Sequence, residues 1–395
     1  MDLTSLLQPG GKIVLVVADG LGGMADAQHA TELEEADTPN LDRLAAEGAT
    51  GLVTPVAAGI TPGSGPGHLA LFGYDPLEYE LGRGVLSAVG LEFDLRSGDV
   101  AARGNLATLD EHGVVTDRRA GRIPDEEALP LIERLREQVQ LDDAEVFFAS
   151  EAAHRVLLVL RGDGLDPRVS DTDPGEEGRQ PAAAEPLHPD AARTAQLVAE
   201  ADAQIRAALA GERANILLLR GFDTLHELPS VTDRYGLRAA TVAIYPMYRG
   251  VARLLGMDAL EQPHSLDEQV ATMRKHWDDY DFFFLHHKKT DEAGHDGDRQ
   301  GKIDAIEGLD AALPQVRDLA PDVLIVSGDH ASPTQLHGHS WHPVPTLMWG
   351  PRVGRDDSDR FGERWCLHGA LGHRPTRELM PLALAAAGRL RKYGA

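Results

Sequence analysis

Ile13-Val14-Leu15-Val16-Val17-Ala18, closed by Asp19-Gly20, is the stretch from which the fold is read. The run is continuous, apolar and rich in β-branched residues, the pattern of a strand buried on both faces of a parallel sheet. It delivers a carboxylate at its C-terminal end, where α/β sheets carry their ligands. Downstream, Thr38 is placed to cap a helix that has Pro39 in its first turn and Leu41, Leu44 and Ala45 on one face, ending near Gly48. Runs of the same style recur at Ile216 to Leu219, Phe282 to Leu285 and Val323 to Val326, with helical patterns between them, so the class is α/β.

A chain of 395 residues exceeds the usual size of one core, which favours two domains. Between about Asp99 and Leu187 strand candidates shorten, Arg155 to Leu160 among them, and turns multiply. We therefore expect a core of residues 1–98 and 188–395 and an inserted domain of residues 99–187, with the Pro-, Glu- and Gly-rich stretch 173–189 as the return linker. The Ala-rich stretch 190–210 reads as a packing helix. A formal charge of −25, from 63 acidic against 38 basic residues, opposes nucleic-acid binding. An anionic small substrate would need local compensation by metal ions and a few arginines. No apolar run is long enough to span a membrane, the N-terminal residues lack a signal-peptide pattern, and Cys366 is the sole cysteine. The expected location is cytoplasmic.

Three stretches hold seven ligand-type side chains: Asp19 with Ser64, Asp291 with His295, and Asp329 and His330 with His339. Asp291 and His295, four residues apart, converge on one cation if their segment is helical or tightly turned. Asp329-His330 closes the apolar run 323–328, where a cleft would begin. Spacing alone leaves His337, His339 and His342 as alternatives for the remaining imidazole. Ser64 sits in Thr61-Pro62-Gly63-Ser64-Gly65-Pro66-Gly67-His68, read as a loop with an unusual backbone path. The nucleophile elbow of α/β-hydrolases is not matched, because positions 62 and 66 are prolines. Such oxygen and imidazole ligands suit Zn²⁺ or Mn²⁺, and two ions about 4 Å apart can both activate the Ser64 hydroxyl and hold a phosphate.

These residues resemble the archaeal-type branch of the cofactor-independent phosphoglycerate mutases, in the alkaline phosphatase superfamily. The likeness runs nearly end to end, through VVADGLGG (16–23), TPNLDRLAAEGATG (38–51), PGSGPGHLALFGYDP (62–76), GRG (82–84), DRRAGRI (117–123), HRVLLVLRGDGL (154–165), DTDP (171–174) and NILLLRG (215–221). It continues through KKTDEAGHDGD (288–298), GKIDAIEGLD (301–310) and SGDHASPTQLHGHSWHPVP (327–345). The resemblance implies an alkaline-phosphatase-like core with a mainly parallel sheet flanked by helices, and an inserted smaller α+β domain that binds substrate and acts as a lid.

It further implies that Asp19, Ser64, Asp329 and His330 bind one divalent metal and that Asp291, His295 and His339 bind the other. Ser64 would take the phosphoryl group of 3-phosphoglycerate and return it to the 2-hydroxyl, without free 2,3-bisphosphoglycerate. Arg119, Arg122, His154, Arg155, Arg220 and Lys288 are the candidate substrate-binding residues, arginine being suited to bidentate recognition of carboxylate and phosphate. Asp171 or Asp173 is the candidate general base. Arg249, His287 and His342 depart from the family pattern. A phosphomonoesterase, phosphodiesterase or phosphopentomutase of the same superfamily would keep the ligands and differ in the lid. A sulfatase is disfavoured because Gly67 and His68, not arginine, follow Pro66, and a purely structural metal protein because such sites favour cysteine.

Overall fold

The computed structural model describes residues 3–79, 81–226 and 228–394, and the chain divides into two compact units, 1–80 with 228–395 and 81–227. Along the chain, β1 (Ile13–Ala18) and β2 (Ala49–Thr54) belong to the first unit. The second unit holds β3 (Val100–Leu109), β4 (Val115–Asp117), β5 (Glu145–Ala152), β6 (Arg155–Arg161) and β7 (Ile216–Thr224). The chain then returns to the first unit with β8 (Ala239–Thr241), β9 (Asp258–Ala259), β10 (Phe282–His287), β11 (Val323–Ser327), β12 (Val344–Trp349) and β13 (Gly372–Pro375).

The eight-stranded sheet of the first unit has the order β13-β2-β12-β11-β1-β10-β8-β9. It is mainly parallel; β12 alone among its described strands runs against its neighbours β11 and β2. β1 is buried along its whole length and pairs in parallel with both β10 and β11, with Ala18 opposite His287 and Val17 opposite Ser327. The residues that follow these strands, Asp19, Lys288 and Gly328-Asp329, therefore emerge side by side at one edge. The expected helix at 38–48 forms over Pro39–Glu47 and buries Leu41, Leu44 and Ala45.

The second unit is built on an antiparallel sheet, β4-β3-β6-β5, with β7 added beside β3. Here the structure corrects three expectations. The insertion spans 81–227 rather than 99–187, because β3 pairs with β7 across more than a hundred intervening residues and the helix Ala192–Ala208 packs its Leu197, Val198 and Ile205 into the same core. Ile216 to Leu219 is therefore an antiparallel strand of the second unit, not another strand of the parallel sheet. Residues 173–189 lie within that unit instead of leading out of it; their backbone is tied to Val115 and Thr172 by Gly178 and Ala182.

Gly82 and Gly84 show why glycine is needed in the GRG stretch. A Cβ at position 82 would lie 2.3 Å from Asp223 Cβ, whose carboxylate accepts the Gly82 N–H at 2.6 Å, and a Cβ at position 84 would run into the Ala101 carbonyl of β3. Gly84 lies in the helix Arg83–Gly90, where alanine is ordinarily better by roughly 0.5–1 kcal/mol. We predict the opposite sign: Gly84→Ala destabilises the second unit by about 1–3 kcal/mol through overpacking. Urea unfolding of the full chain measures it, and a stabilised variant contradicts the close approach.

Candidate active site

Asp19, released from β1, lies fully buried among donors. Its Oδ2 accepts from the Tyr248 hydroxyl at 2.5 Å, from Lys288 Nζ at 2.9 Å and faces His286 Nε2 at 3.1 Å. Burial by itself would raise this carboxyl, but Lys288, His286 and His330 outweigh it and hold Asp19 well below the usual carboxylate range. Burial, with Asp19 and Asp329, pushes the Tyr248 phenol well above its ordinary value, so it stays a donor.

Ser64 opens the helix Ser64–Leu71, so the expected loop is a helix N-terminus, a position that favours an approaching anion. Gly67 lets that helix lie directly on the Asp329 backbone, where a Cβ would collide with the carbonyl. Ser64 Oγ stands 3.2 Å from His330 Nε2, and the same nitrogen lies 3.3 Å from Asp19 Oδ1 and 3.2 Å from Asp329 Oδ2. Asp329 Oδ1 accepts from Gly20 N–H at 3.0 Å.

Asp291 and His295 do lie on a helix, Lys289–Asp296. Asp291 Oδ2 accepts from Lys288 Nζ at 2.6 Å, and its Oδ1 faces His339 Nε2 at 3.6 Å and His295 Nε2 at 3.7 Å. The His330 and His339 rings stack with centroids 3.6 Å apart.

Among the described residues of the first unit, two sets of side chains can each gather one ion: Asp19, Asp329 and His330, and Asp291, His330 and His339; a third group, Asp166, His188 and Asp190, lies more exposed in the second unit. His330 is common to the first two, and His295, half-exposed, stands just outside the second. The remaining histidines of the 337–342 stretch belong to neither set: His337 sits in the left-handed region at φ 50°, and His342 stacks on Trp341. Asp19 Oδ1 and Asp329 Oδ2 are buried with no hydrogen-bond partner. They face imidazole nitrogens at 3.2–3.3 Å but accept no described hydrogen bond, and burying carboxylates so incompletely satisfied is costly, so this donor chemistry fits divalent cations. The surrounding carboxylates make the same demand on His330: burial lowers its affinity for a proton, yet Asp329 and Asp19 raise it above the ordinary value.

Lys288, expected at substrate, bridges Asp19 and Asp291; burial alone would lower its pKa, but the two carboxylates drive it up. Sequence reasoning missed Tyr248, His286, His68 and Ser332. His68 lies one helical turn after Ser64, with Nδ1 3.2 Å from Asp329 Oδ2 and its ring stacked on Tyr248. That i+4 spacing was a usable signal; nothing local marks Tyr248. Of the departures from the family pattern, Arg249 ties the carbonyls of Ala243 and Leu260, and His287 faces the carbonyl of Ala305; both are buried structural contacts.

The second unit gathers arginines around His154. Burial first, then Arg155, Arg119, Arg103 and Arg122, pushes this imidazole down to about 4, and its Nδ1 is buried without a partner. Arg220 is likewise lowered by burial and by Arg83 and Arg103. Arg118, another residue that sequence reasoning missed, holds Asp173 in a bidentate pair at 2.9 and 2.7 Å. Asp171 is exposed and accepts only the Gly221 N–H among its described hydrogen bonds, at 2.7 Å. The 117–123 loop is fixed by the Asp117 carboxylate, which accepts from the N–H groups of Arg119 and Gly121. Ala120, Arg122 and Ala153 all have positive φ, 45°, 53° and 50°, the kind of local strain that clusters at ligand sites.

Comparison with known proteins accords with this geometry. Residues 45–215 match the family model described as 2,3-bisphosphoglycerate-independent phosphoglycerate mutase. Relatives named as probable enzymes of that kind include one from Thermus thermophilus, 50% identical over 97% of this chain and 96% of its own length. Another from Aquifex aeolicus is 46% identical with both chains fully covered. Among solved structures, a Pyrococcus horikoshii protein superposes with a TM-score of 0.83 at 29% identity, covering 98% of this chain and all of that one. The cofactor-independent phosphoglycerate mutase of Thermoplasma acidophilum gives 0.73 at 30% identity, covering 96% of this chain and all of that one. With such similarity along nearly its whole length, this chain belongs to the 2,3-bisphosphoglycerate-independent phosphoglycerate mutases, a family of isomerases.

Proposed function

We propose that the chain interconverts 3-phosphoglycerate and 2-phosphoglycerate through a phosphoserine at Ser64, with two divalent ions, Mn²⁺ or Zn²⁺, and no 2,3-bisphosphoglycerate. The observation that carries this reading is the pair of ligand sets sharing His330, with Ser64 Oγ 3.2 Å from that residue at a helix N-terminus. Asp19, Asp329 and His330 would hold one ion, and Asp291, His339 and His295 the other. Bound there, the ions supply Lewis acidity that makes a serine hydroxyl a competent nucleophile and neutralises phosphoryl oxygens.

Ser64 Oγ forms the bond to phosphorus as the bond to the glycerate 3-oxygen breaks; the reverse displacement returns the group to the 2-oxygen. The arginines around His154 hold the carboxylate of the glycerate, which must reorient without escaping. Asp173 is committed to Arg118, so we assign to Asp171 the role of moving the hydroxyl proton. We assign the insertion the task of excluding water while phosphoserine exists. No described helix is long and apolar enough to cross a membrane, and a cytoplasmic site of action is proposed with the rest.

The test supplies metal-stripped protein with 3-phosphoglycerate and Mn²⁺ or Zn²⁺, without 2,3-bisphosphoglycerate, and follows 2-phosphoglycerate and free phosphate together. Metal-dependent 2-phosphoglycerate without matching phosphate is expected, and Ser64→Ala should lose about 10³-fold or more. Phosphate alone would instead make the chain a phosphomonoesterase.

His154 reports on the arginine cluster independently. The folded value of about 4 lies below the roughly 6.5 of an unfolded histidine, so between these values the unfolded chain binds more protons. Stability contributed by neutral His154 is thus full above about pH 6.5 and falls away as the pH drops toward 4. We expect His154→Gln to flatten that slope in equilibrium unfolding. Adding 3-phosphoglycerate should move the His154 ring titration upward in NMR; an unmoved titration places the anion elsewhere.

A further inference from the structure

Ser332 is fully buried and touches all three segments that supply candidate metal ligands. Its hydroxyl donates to Asp291 Oδ1 at 2.6 Å, and His330 Nδ1 lies 3.2 Å from the same oxygen. A serine hydroxyl has one proton. With that proton given to Asp291, the contact to His330 requires the imidazole to donate, which puts a proton on Nδ1. Nε2 is then the nitrogen left to face Asp19, Asp329 and Ser64.

The Ser332 backbone closes the same joint. Its N–H approaches the carbonyls of Gly20 at 3.3 Å and Gly22 at 3.1 Å, on the segment that follows Asp19. Its carbonyl accepts from Lys302 Nζ at 2.9 Å, and Lys302 also donates to Gly22 O at 3.1 Å. That lysine is fully buried, with Glu32 Oε2 at 3.7 Å. The helix carrying Asp291 packs against it so closely that a Cβ at Gly294 would lie 2.5 Å from Ser332 O.

We propose that Ser332 is a positioning residue for the metal centre, coupling one carboxylate and one imidazole from the two ligand sets through a single hydroxyl and fixing His330 with its proton on Nδ1. The proposal rests on the two-ion reading above. Groups that orient metal ligands from behind typically cost 10–100-fold in metal affinity when removed. Lys302, held by carbonyls rather than by the ligands themselves, keeps the Ser332 backbone where its hydroxyl can reach both.

Metal-stripped wild type, Ser332→Ala and Ser332→Thr are titrated with Mn²⁺ by calorimetry, with circular dichroism of the metal-free proteins as the control for folding. Wild type is expected to bind two ions. Ser332→Ala should weaken one of the two events about 10–100-fold, and Ser332→Thr, which keeps the hydroxyl, should stay close to wild type. Wild-type affinity in Ser332→Ala, or an equal loss in Ser332→Thr, overturns the proposal. Should the alanine variant not fold, ¹⁵N NMR of histidine-labelled, Zn²⁺-loaded wild type decides: a protonated His330 Nδ1 supports the assignment and an unprotonated one refutes it. Failure of wild type to take up two ions is a different result and defeats the two-ion reading itself.

Discussion

The parallel pairing of β1 with both β10 and β11 is the constraint on which the first unit depends. Strand segments more than 250 residues apart in sequence are locked in register, with Val17 opposite both His286 and Ser327. Parallel register makes their C-terminal ends coincide, so Asp19, Lys288 and Asp329 meet at one edge, and the helix that follows β10 adds Asp291. A register slip of one residue on β1 would turn its side chains to the opposite faces and take Asp19 out of the cluster. The sheet is therefore both the core of the unit and the device that concentrates its negative charge.

Concentrated charge has to be answered locally, and the two units answer it in opposite ways. In the first, the carboxylates of Asp19 and Asp329 are buried and partly satisfied by Lys288, Tyr248 and the Gly20 N–H, with one oxygen of each accepting no described hydrogen bond. In the second, the crowding around His154 is cationic: Arg155, Arg119, Arg103 and Arg122 surround it, with Glu151 beside Arg103 and Asp173 beside Arg118 and Arg220. A chain with a formal charge of −25 has no general attraction for a small anion, and this cluster is a local exception to that field.

Much of this was legible in the sequence, for a physical reason. Runs 13–18, 282–285 and 323–326 are apolar on both faces because helices cover both sides of a parallel sheet, and the acid that ends such a run is placed by the sheet itself. The same texture misled at 216–219. There alternate residues face two different clusters, Leu217 and Leu219 in one, Ile216 and Leu218 in the other, so an antiparallel strand is buried on both faces too. Continuous apolarity reports burial, not strand direction. The extent of the insertion was hidden because the β3–β7 pairing is long-range and no change of composition marks it. Tyr248, His286 and Ser332 were hidden likewise: each is an ordinary core residue in its own neighbourhood and becomes part of the site only when the three strand ends meet.

That dependence has a thermodynamic side. An unpaired carboxylate oxygen in a dry interior costs free energy in the folded state and nothing in the unfolded one, where water solvates it. A cation that relieves this cost binds the folded first unit and not the unfolded chain, so its binding free energy adds directly to the stability of that unit. On the two-ion reading, the buried oxygens of Asp19 and Asp329 are in this sense stored affinity, maintained by the packing of β1, β10 and β11. The second unit is arranged otherwise. Its core is closed by β3, β6 and β7 with the helices that pack on them, and the Arg118–Asp173 pair, bidentate and with only 2% of the aspartate side chain exposed, is complete without any ion. On the two-ion reading, metal occupancy and folding are one equilibrium in the first unit, whereas the Arg118–Asp173 pair of the second is satisfied by the protein alone.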